Sequence, residues 1–465
     1  MARMDAGSAE LKHGYPGARL LAVERLLQTD ERDRGLQELR GLEGTAVHDG
    51  PLLQGAGRIY SHLNLHVDAE RCYARAAALS PGEPQALYNW ATCLTALGQL
   101  EAAELRLNQV IALAPDDHDA QYNRSILRRQ TLERNHVDEL RQALSDWRRT
   151  PTARIALGYA LAKELEDLQR YPESFAALKA AADMRRRLLS YRIEHDVATM
   201  AQIAEAFDAG YCRRPVHSGS RTVRPIFIVG LPRSGTTLVD RILSSHSQVA
   251  SRGESSDLAT ILMRLAGAVP DRRTLVQRAT TLDAAHLGRS FCALLPRTGA
   301  PQVIDKTPLN FLYLGLIAAA LPDAAIIHVR RHPLDVCYAM YKTLFRMAYP
   351  FSYDLSDLAC YYSAYNTLMQ HWRDTLGTRL IEIDYESLVA DQEGETRRLL
   401  DACGLPWEER CLEFYRNKSP ILTASAAQVR QPLYNSSVGL WRHYRRELQP
   451  LIERLRDCGV TAEQT

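Results

Sequence analysis

The stretch Ile226-Phe227-Ile228-Val229-Gly230-Leu231-Pro232-Arg233-Ser234-Gly235-Thr236-Thr237 decides the fold of the C-terminal half. Its first four residues are apolar and largely β-branched, which reads as a short buried strand. Two glycines then bracket a loop, and a helix is expected from Leu238 to Ser245. A strand, a glycine loop and a helix start together hold phosphate, because backbone N–H groups and the positive end of the helix dipole face the anion. The spacing from Gly230 to Gly235 copies the Walker A loop, but Thr236 stands where that loop has its lysine. Without the lysine, a nucleotide-dependent kinase loses its hold on the γ-phosphate and metal, and a cation inside the loop, Arg233, takes its place.

Downstream, Gln302 to Ile304, Ala325 to Val329 and Arg379 to Asp384 are further candidate strands, alternating with helical segments. That alternation predicts a parallel α/β sheet whose ligands lie at the carboxyl ends of the strands. Upstream, a polar stretch from Arg213 to Arg224 follows Ala-rich helical sequence, so a domain boundary is expected at 205–222. The expected division is a helical domain over 1–205 and an α/β domain over 222–465.

The helical part repeats itself. Leu79-Ser80-Pro81 and Leu113-Ala114-Pro115 put two prolines 34 residues apart, and Ala69-Glu70, Tyr73, Ala78 and Gly57 keep that period with Ala103-Glu104, Leu107, Ala112 and Ala91. Helix, turn and helix, closed by a proline that cannot continue the second helix, is the tetratricopeptide pattern. The clearest unit runs from Pro84 to Pro115, one precedes it from Gly50, and a third runs from Arg154 to about Arg186. About four extra residues, Lys163 to Glu166, are expected to lengthen the first turn of that third unit. Asp116 to Thr150 reads as a degenerate unit and residues 18–48 as a helical cap. Stacked units form a superhelix that binds or positions a partner.

Composition narrows the field of functions. In 465 residues, 57 basic and 55 acidic side chains leave a formal charge of +2, so no global field favours nucleic acid or an anionic membrane. No apolar run reaches the roughly 18 residues of a membrane span. The first residues lack a signal peptide's apolar core, which predicts a cytoplasmic chain. Nine scattered cysteines without a CxxC pair, and 14 histidines without HExxH spacing, predict buried thiols and no metal site. His328 and His332, four apart, lie on a strand-to-loop path and share no helical face.

Taken singly, the polar residues of the α/β part have ordinary readings. Glu254 would serve as a helix N-terminal carboxylate, Lys306 as a solvated loop cation, Arg331 as the partner of Asp335, Ser425 as a cap, and Tyr385 as strand-end packing. Taken together and in order, they resemble the sulfotransferases, specifically the tyrosyl-protein sulfotransferase-like branch and bacterial proteins that join tetratricopeptide repeats to such a domain. The resemblance spans about Pro225 to Pro450. It implies that Pro232, Arg233, Ser234, Gly235, Thr236 and Thr237 hold the 5′-phosphosulfate of 3′-phosphoadenosine 5′-phosphosulfate (PAPS). His246 and Glu254 fall 13 and 21 residues after Arg233, as in the tyrosyl-protein enzymes, which makes Glu254 in Ser251-Arg252-Gly253-Glu254 the catalytic base. Lys306 in Asp305-Lys306-Thr307-Pro308 is implied to reach the sulfuryl group and bridging oxygen. Arg331 in Val329-Arg330-Arg331-His332-Pro333 is implied to hold the 3′-phosphate, and Tyr385 in Asp384-Tyr385-Glu386 to contact the nucleotide. Ser425 to Pro432 resembles a late clamping loop, which adds Ser425 at the leaving oxygen and Gln428 and Arg430 at the cofactor.

Two positions depart from the family. Eight residues after Arg331 stands Ala339, where a phosphate-binding serine is frequent, with Arg330, Tyr341 or Lys342 as candidate replacements. Beyond Glu254 come Ser255-Ser256-Asp257 in place of a basic residue, which weakens an acidic-peptide substrate more than it weakens sulfuryl transfer. The implied activity is sulfuryl transfer from PAPS, without a metal, to a hydroxyl acceptor. Protein tyrosine is the first expectation, with the repeat groove holding the peptide; a small-molecule or carbohydrate acceptor and a nucleotide-binding scaffold without turnover are the alternatives.

Overall fold

The computed structural model describes residues 16–27, 31–213, 223–296, 299–420 and 428–461. Two compact units are present, one formed by the helices up to His136 and the other by Val137–Asn417 with the segment from Gln428 onward. The expected classes, a helical repeat part followed by a parallel α/β part, are the ones the chain adopts.

Ile226, Phe227, Ile228 and Val229 are fully buried because their strand, β1 (Arg224–Gly230), is the middle of a sheet covered on both faces. The other strands are β2 (Val249–Ser251), β3 (Gln302–Asp305), β4 (Ala325–Arg330) and β5 (Leu380–Asp384), in the order β2-β3-β1-β4-β5. All pairings are parallel, with Ile226 opposite Ile304 on one side and Val229 opposite His328 on the other. Strand β2 was not anticipated: three residues are too few to show an apolar period, and only pairing with β3 reveals it. The helix after the loop runs Thr236–Ser244, two residues earlier than expected, since Gly235 with φ +109° turns the chain directly into it.

The long helix Leu355–Leu376 backs the sheet, capped by Asp354, whose carboxylate accepts the N–H groups of Ser356 and Asp357. Its Trp372 is fully buried and donates its indole N–H to Phe311 O at 2.9 Å. The helices Pro151–Asp167 and Tyr171–Arg187 pack within this same unit, so the compact division falls well before the composition change at 205–222. Tyr159 of the first donates to Tyr341 O at 3.2 Å.

In the N-terminal unit, the helices Gly50–His62, His66–Leu79, Pro84–Leu97 and Leu100–Leu113 match the two clearest repeats. Their starts recur with the period: Asp49, Glu83 and Asp117 are N-cap residues, and Asp49 and Asp117 accept the N–H of Leu52 and Ala120. Gly57 lets the helices of its unit close, since a Cβ there would lie 2.8 Å from the Tyr73 ring. The degenerate stretch forms the helix His118–Ile126 here and the helix Val137–Ser145 in the second unit, and the cap forms Pro16–Leu27 and Arg32–Thr45. The extra residues at Lys163–Glu166 do not lengthen a turn: they extend the helix, which has 17 residues against 14 in Pro84–Leu97.

Candidate active site

Five of the segments singled out by the sequence each follow the carboxyl end of a different strand, so the sheet sets their order in space. Glu254 follows β2, Lys306 follows β3, the glycine loop follows β1, Arg331 follows β4 and Tyr385 follows β5. Neighbouring strands are ~4.8 Å apart. The carboxylate and the lysine therefore flank the loop on one side, while the guanidinium and the tyrosine flank it on the other.

The loop needs both of its glycines. A Cβ on Gly230 (φ +152°) would lie 2.6 Å from Val329 O, and one on Gly235 would lie 2.6 Å from Cδ2 of Tyr385. Between them, Arg233 adopts φ +68°, a region side chains rarely enter. This turns its carbonyl toward Arg331, which donates to it at 2.9 Å, while its own guanidinium donates to Gln428 Oε1 at 2.9 Å. Ser234 Oγ and Arg331 Nε are buried with no hydrogen-bond partner among the described residues. Orphaned donors beside a helix start and a cradle that a Cβ would fill suit a phosphate-bearing ligand.

Lys306 is not a solvated cation. Its side chain is 2% exposed, its Nζ donates to Glu254 Oε1 at 2.6 Å, and its backbone N–H donates to Gly253 O at 3.0 Å. Glu254, at 44% exposure, stays open to solvent on its other side. Behind them Asp240, on the helix after the loop, is buried; desolvation pushes its carboxyl above the usual range, against the pull of Lys306. Asp305 is likewise pushed up to about 6 by burial, with Arg252, Thr307 and Lys306 working the other way. Its Oδ1 accepts from Thr307 Oγ1 at 2.7 Å and Asn310 Nδ2 at 3.1 Å, and Thr307 Oγ1 accepts the Ser255 N–H at 3.0 Å. This chain of bonds ties the turn after β3 to the turn carrying Glu254.

On the far side, Arg331 does not pair with Asp335, whose carboxylate accepts the N–H groups of Gly439 and Trp441 at 2.7 and 3.2 Å. Arg331 instead donates to Ser437 O at 2.6 Å and stacks 4.7 Å over the Tyr385 ring, whose hydroxyl meets Ser437 Oγ at 2.7 Å. Arg233, Arg331, Lys342, Thr237, Tyr385 and Gln428 line one cavity, together with Gly235 and Ala339. Pro232, Ser234, Thr236 and Arg430 are not in its wall, nor are Glu254 and Lys306, which lie toward the β2 edge. Ser425 lies outside the described residues.

His246 serves structure: it is buried, with Nε2 2.9 Å from Pro406 O and Nδ1 accepting the Gln248 N–H. His328 is buried between Glu382 and Tyr365, and His332 stacks on Trp441. Among the described residues no cluster of His, Cys, Asp and Glu has metal-site geometry. All nine cysteines are free and six are buried. No described helix is long and apolar enough to cross a membrane. Asp240 and Ser437 carry no motif or spacing that marks them, because their contacts are with neighbours distant in the chain.

Residues 225–409 match the sulfotransferase family, and residues 64–125 match the tetratricopeptide repeat. The chain is 31% identical over 395 residues to an uncharacterized protein of Aquifex aeolicus (strain VF5), an alignment covering 78% of this chain and 49% of that protein. It is 25% identical over 251 residues to a Drosophila melanogaster protein named protein-tyrosine sulfotransferase, covering 49% of this chain and 48% of that one. Among solved structures, the sulfotransferase domain of the Synechococcus PCC 7002 olefin synthase aligns with 50% of this chain and 98% of its own length at 21% identity, with a TM-score of 0.31. The chain spans about half the length of the first curated relatives it matches. The match to the sulfotransferase family thus falls on the α/β part and the match to the tetratricopeptide repeat on the helical part.

Proposed function

We propose that the chain transfers a sulfuryl group from PAPS to a hydroxyl acceptor. The observation that carries this reading is the Glu254–Lys306 contact of 2.6 Å beside a phosphate loop that lacks the triphosphate lysine. PAPS supplies a sulfuryl group already activated on phosphate. Glu254 takes the acceptor hydroxyl's proton as that oxygen bonds to sulfur. Lys306 moves its ammonium contact from Glu254 to the phosphate oxygen that departs with the electron pair. An acceptor phenol ionises near 10, so Glu254 accepts the proton during transfer and not before it. Arg233 and the loop amides hold the 5′-phosphate, and Arg331 with Tyr385 holds the other end of the nucleotide. A cytoplasmic location and Ser425 at the leaving oxygen remain part of this proposal.

Tyrosine in a protein is the first acceptor, supported by the named Drosophila relative and by a repeat array able to hold a peptide. A second reading, a small uncharged phenol or alcohol, is favoured by a separate cavity of about 360 Å³ lined by Leu262, Leu309, Tyr313, Tyr349, Phe351 and Tyr361. Leu309 lies three residues after Lys306, and the charge of Glu254 helps burial hold the Tyr349 hydroxyl above its usual range. Its charged residues, Asp196 and Arg272, pair with each other in an otherwise largely apolar and aromatic wall, which suits an uncharged acceptor better than an acidic peptide.

Incubating the protein with PAPS labelled in the sulfuryl group and a panel of tyrosine peptides, sugars and phenols tests both readings. Label is expected on one acceptor class, with loss of about 100-fold or more in Glu254→Ala. Failure of the wild type to bind PAPS or 3′,5′-ADP would refute sulfuryl transfer, and full activity of Glu254→Ala would refute the base.

A further inference from the structure

We propose that Glu166, a carboxylate brought in from the helix Pro151–Asp167, positions Lys342 in the nucleotide cavity as the cation that reads the 3′-phosphate. The inference rests on the PAPS reading above and deepens it.

Ala339 lines the cavity without a polar atom to offer. Of the three side chains that could replace a hydroxyl there, Arg330 is spent on Asp384 at 3.0 Å and Glu382 at 3.4 Å, on the other face of β4. Tyr341 is buried and packs its ring against Phe175 at 6.1 Å. Lys342, one helical turn after Ala339, lines the cavity together with Arg233 and Arg331.

Lys342 is held from behind. Its Nζ lies 2.5 Å from Glu166 Oε1, while Glu166 Oε2 accepts the hydroxyls of Tyr338 at 2.6 Å and Tyr444 at 2.9 Å. Burial alone would raise the Glu166 carboxyl, but the charge and hydrogen bond of Lys342 and the two phenols hold it below the usual range, so it stays ionised. Asp335, the carboxylate among the cavity-lining residues, is occupied by backbone N–H groups and does not compete for the ammonium. An ammonium has three protons, so pairing with Glu166 leaves donors for a phosphate in the cavity. The turn added to the helix at Lys163–Glu166 is what delivers this carboxylate. Glu166 does not line the cavity and is a positioning residue; Lys342 is the binding one.

The test is calorimetric binding of 3′,5′-ADP and 5′-ADP, compared as a ratio, to wild type, Lys342→Met, Glu166→Gln and the double variant. Wild type is expected to prefer 3′,5′-ADP. Lys342→Met should cut that preference about tenfold, the worth of one charge-assisted hydrogen bond. Glu166→Gln should cut it severalfold, yet change nothing further in the Lys342→Met background, and Lys342→Arg should retain most of it. A lesion of structure alone would weaken both ligands equally and leave the ratio untouched, which overturns the proposal. So would an unchanged ratio in Lys342→Met. Wild type that binds neither nucleotide refutes the PAPS reading itself and this inference with it.

Discussion

Substituting Gly235 by alanine tests the loop geometry most directly. Two separate costs follow from the structure. With φ +109° the backbone is strained for any side chain, a cost of roughly 1–3 kcal/mol. The added Cβ would also lie 2.6 Å from Cδ2 and 3.3 Å from Cε2 of Tyr385. That ring cannot step aside freely, because Arg331 stacks on its face and Ser437 holds its hydroxyl. Overpacking of this kind costs roughly 1–3 kcal/mol. The expected loss is therefore about 2–6 kcal/mol, against roughly 1–3 kcal/mol for Gly253→Ala, where φ is +71° and nothing lies within 4 Å of the new carbon. Urea-dependent hydrogen exchange of the β1 and β4 peptides reports on this unit without the repeats. In a Tyr385→Ala background the Gly235→Ala loss should shrink by the overpacking share, roughly 1–3 kcal/mol, leaving only backbone strain. Equal losses at Gly235 and Gly253, or a Gly235→Ala loss that Tyr385→Ala does not relieve, would refute the argument.

Other outcomes follow from the same geometry. Asp305, moved from 3.8 to about 6, binds its proton more tightly folded than unfolded, so its contribution of about 3 kcal/mol is lost as pH rises from about 4 to 6; in D305N this slope should vanish from pH-dependent urea unfolding. Glu382 runs the opposite way: burial alone would raise it, but His328 and Arg373 hold it at about 2, so its contribution is present above 4.5 and lost as pH falls toward 2. E382Q should flatten that acid limb. In the cap helix Arg32–Thr45, Gly41→Ala, with open space around the new carbon, should stabilise by about 0.5–1 kcal/mol through helix propensity. Gly57→Ala should not gain in this way, because its Cβ meets the Tyr73 ring; thermal melting of both variants distinguishes the two cases.

The sequence alone determined the local pieces. The apolar run 226–229 had to be buried, the glycines had to flank a turn that admits no side chain, and the 34-residue period had to build paired helices. These follow from short-range sterics and periodicity, which a linear chain displays openly. Thr236 in place of the Walker lysine likewise set this loop apart from the triphosphate-binding pattern.

Tertiary structure decided what stands beside what. Glu254 and Lys306 are 52 residues apart, and only the pairing of β2 with β3 makes them contacts. Sequence order runs loop, Glu254, Lys306, yet strand order puts the turn bearing Lys306 between the other two. Asp335 was free to pair with Arg331 until backbone N–H groups 104 and 106 residues later claimed it. An inserted turn that read as slack between two helices became a helix extension, and it is the packing of that helix within the α/β unit that sets Glu166 against Lys342. Side-chain contacts across long separations leave no periodic trace in a sequence, because each depends on where two distant backbones are brought together.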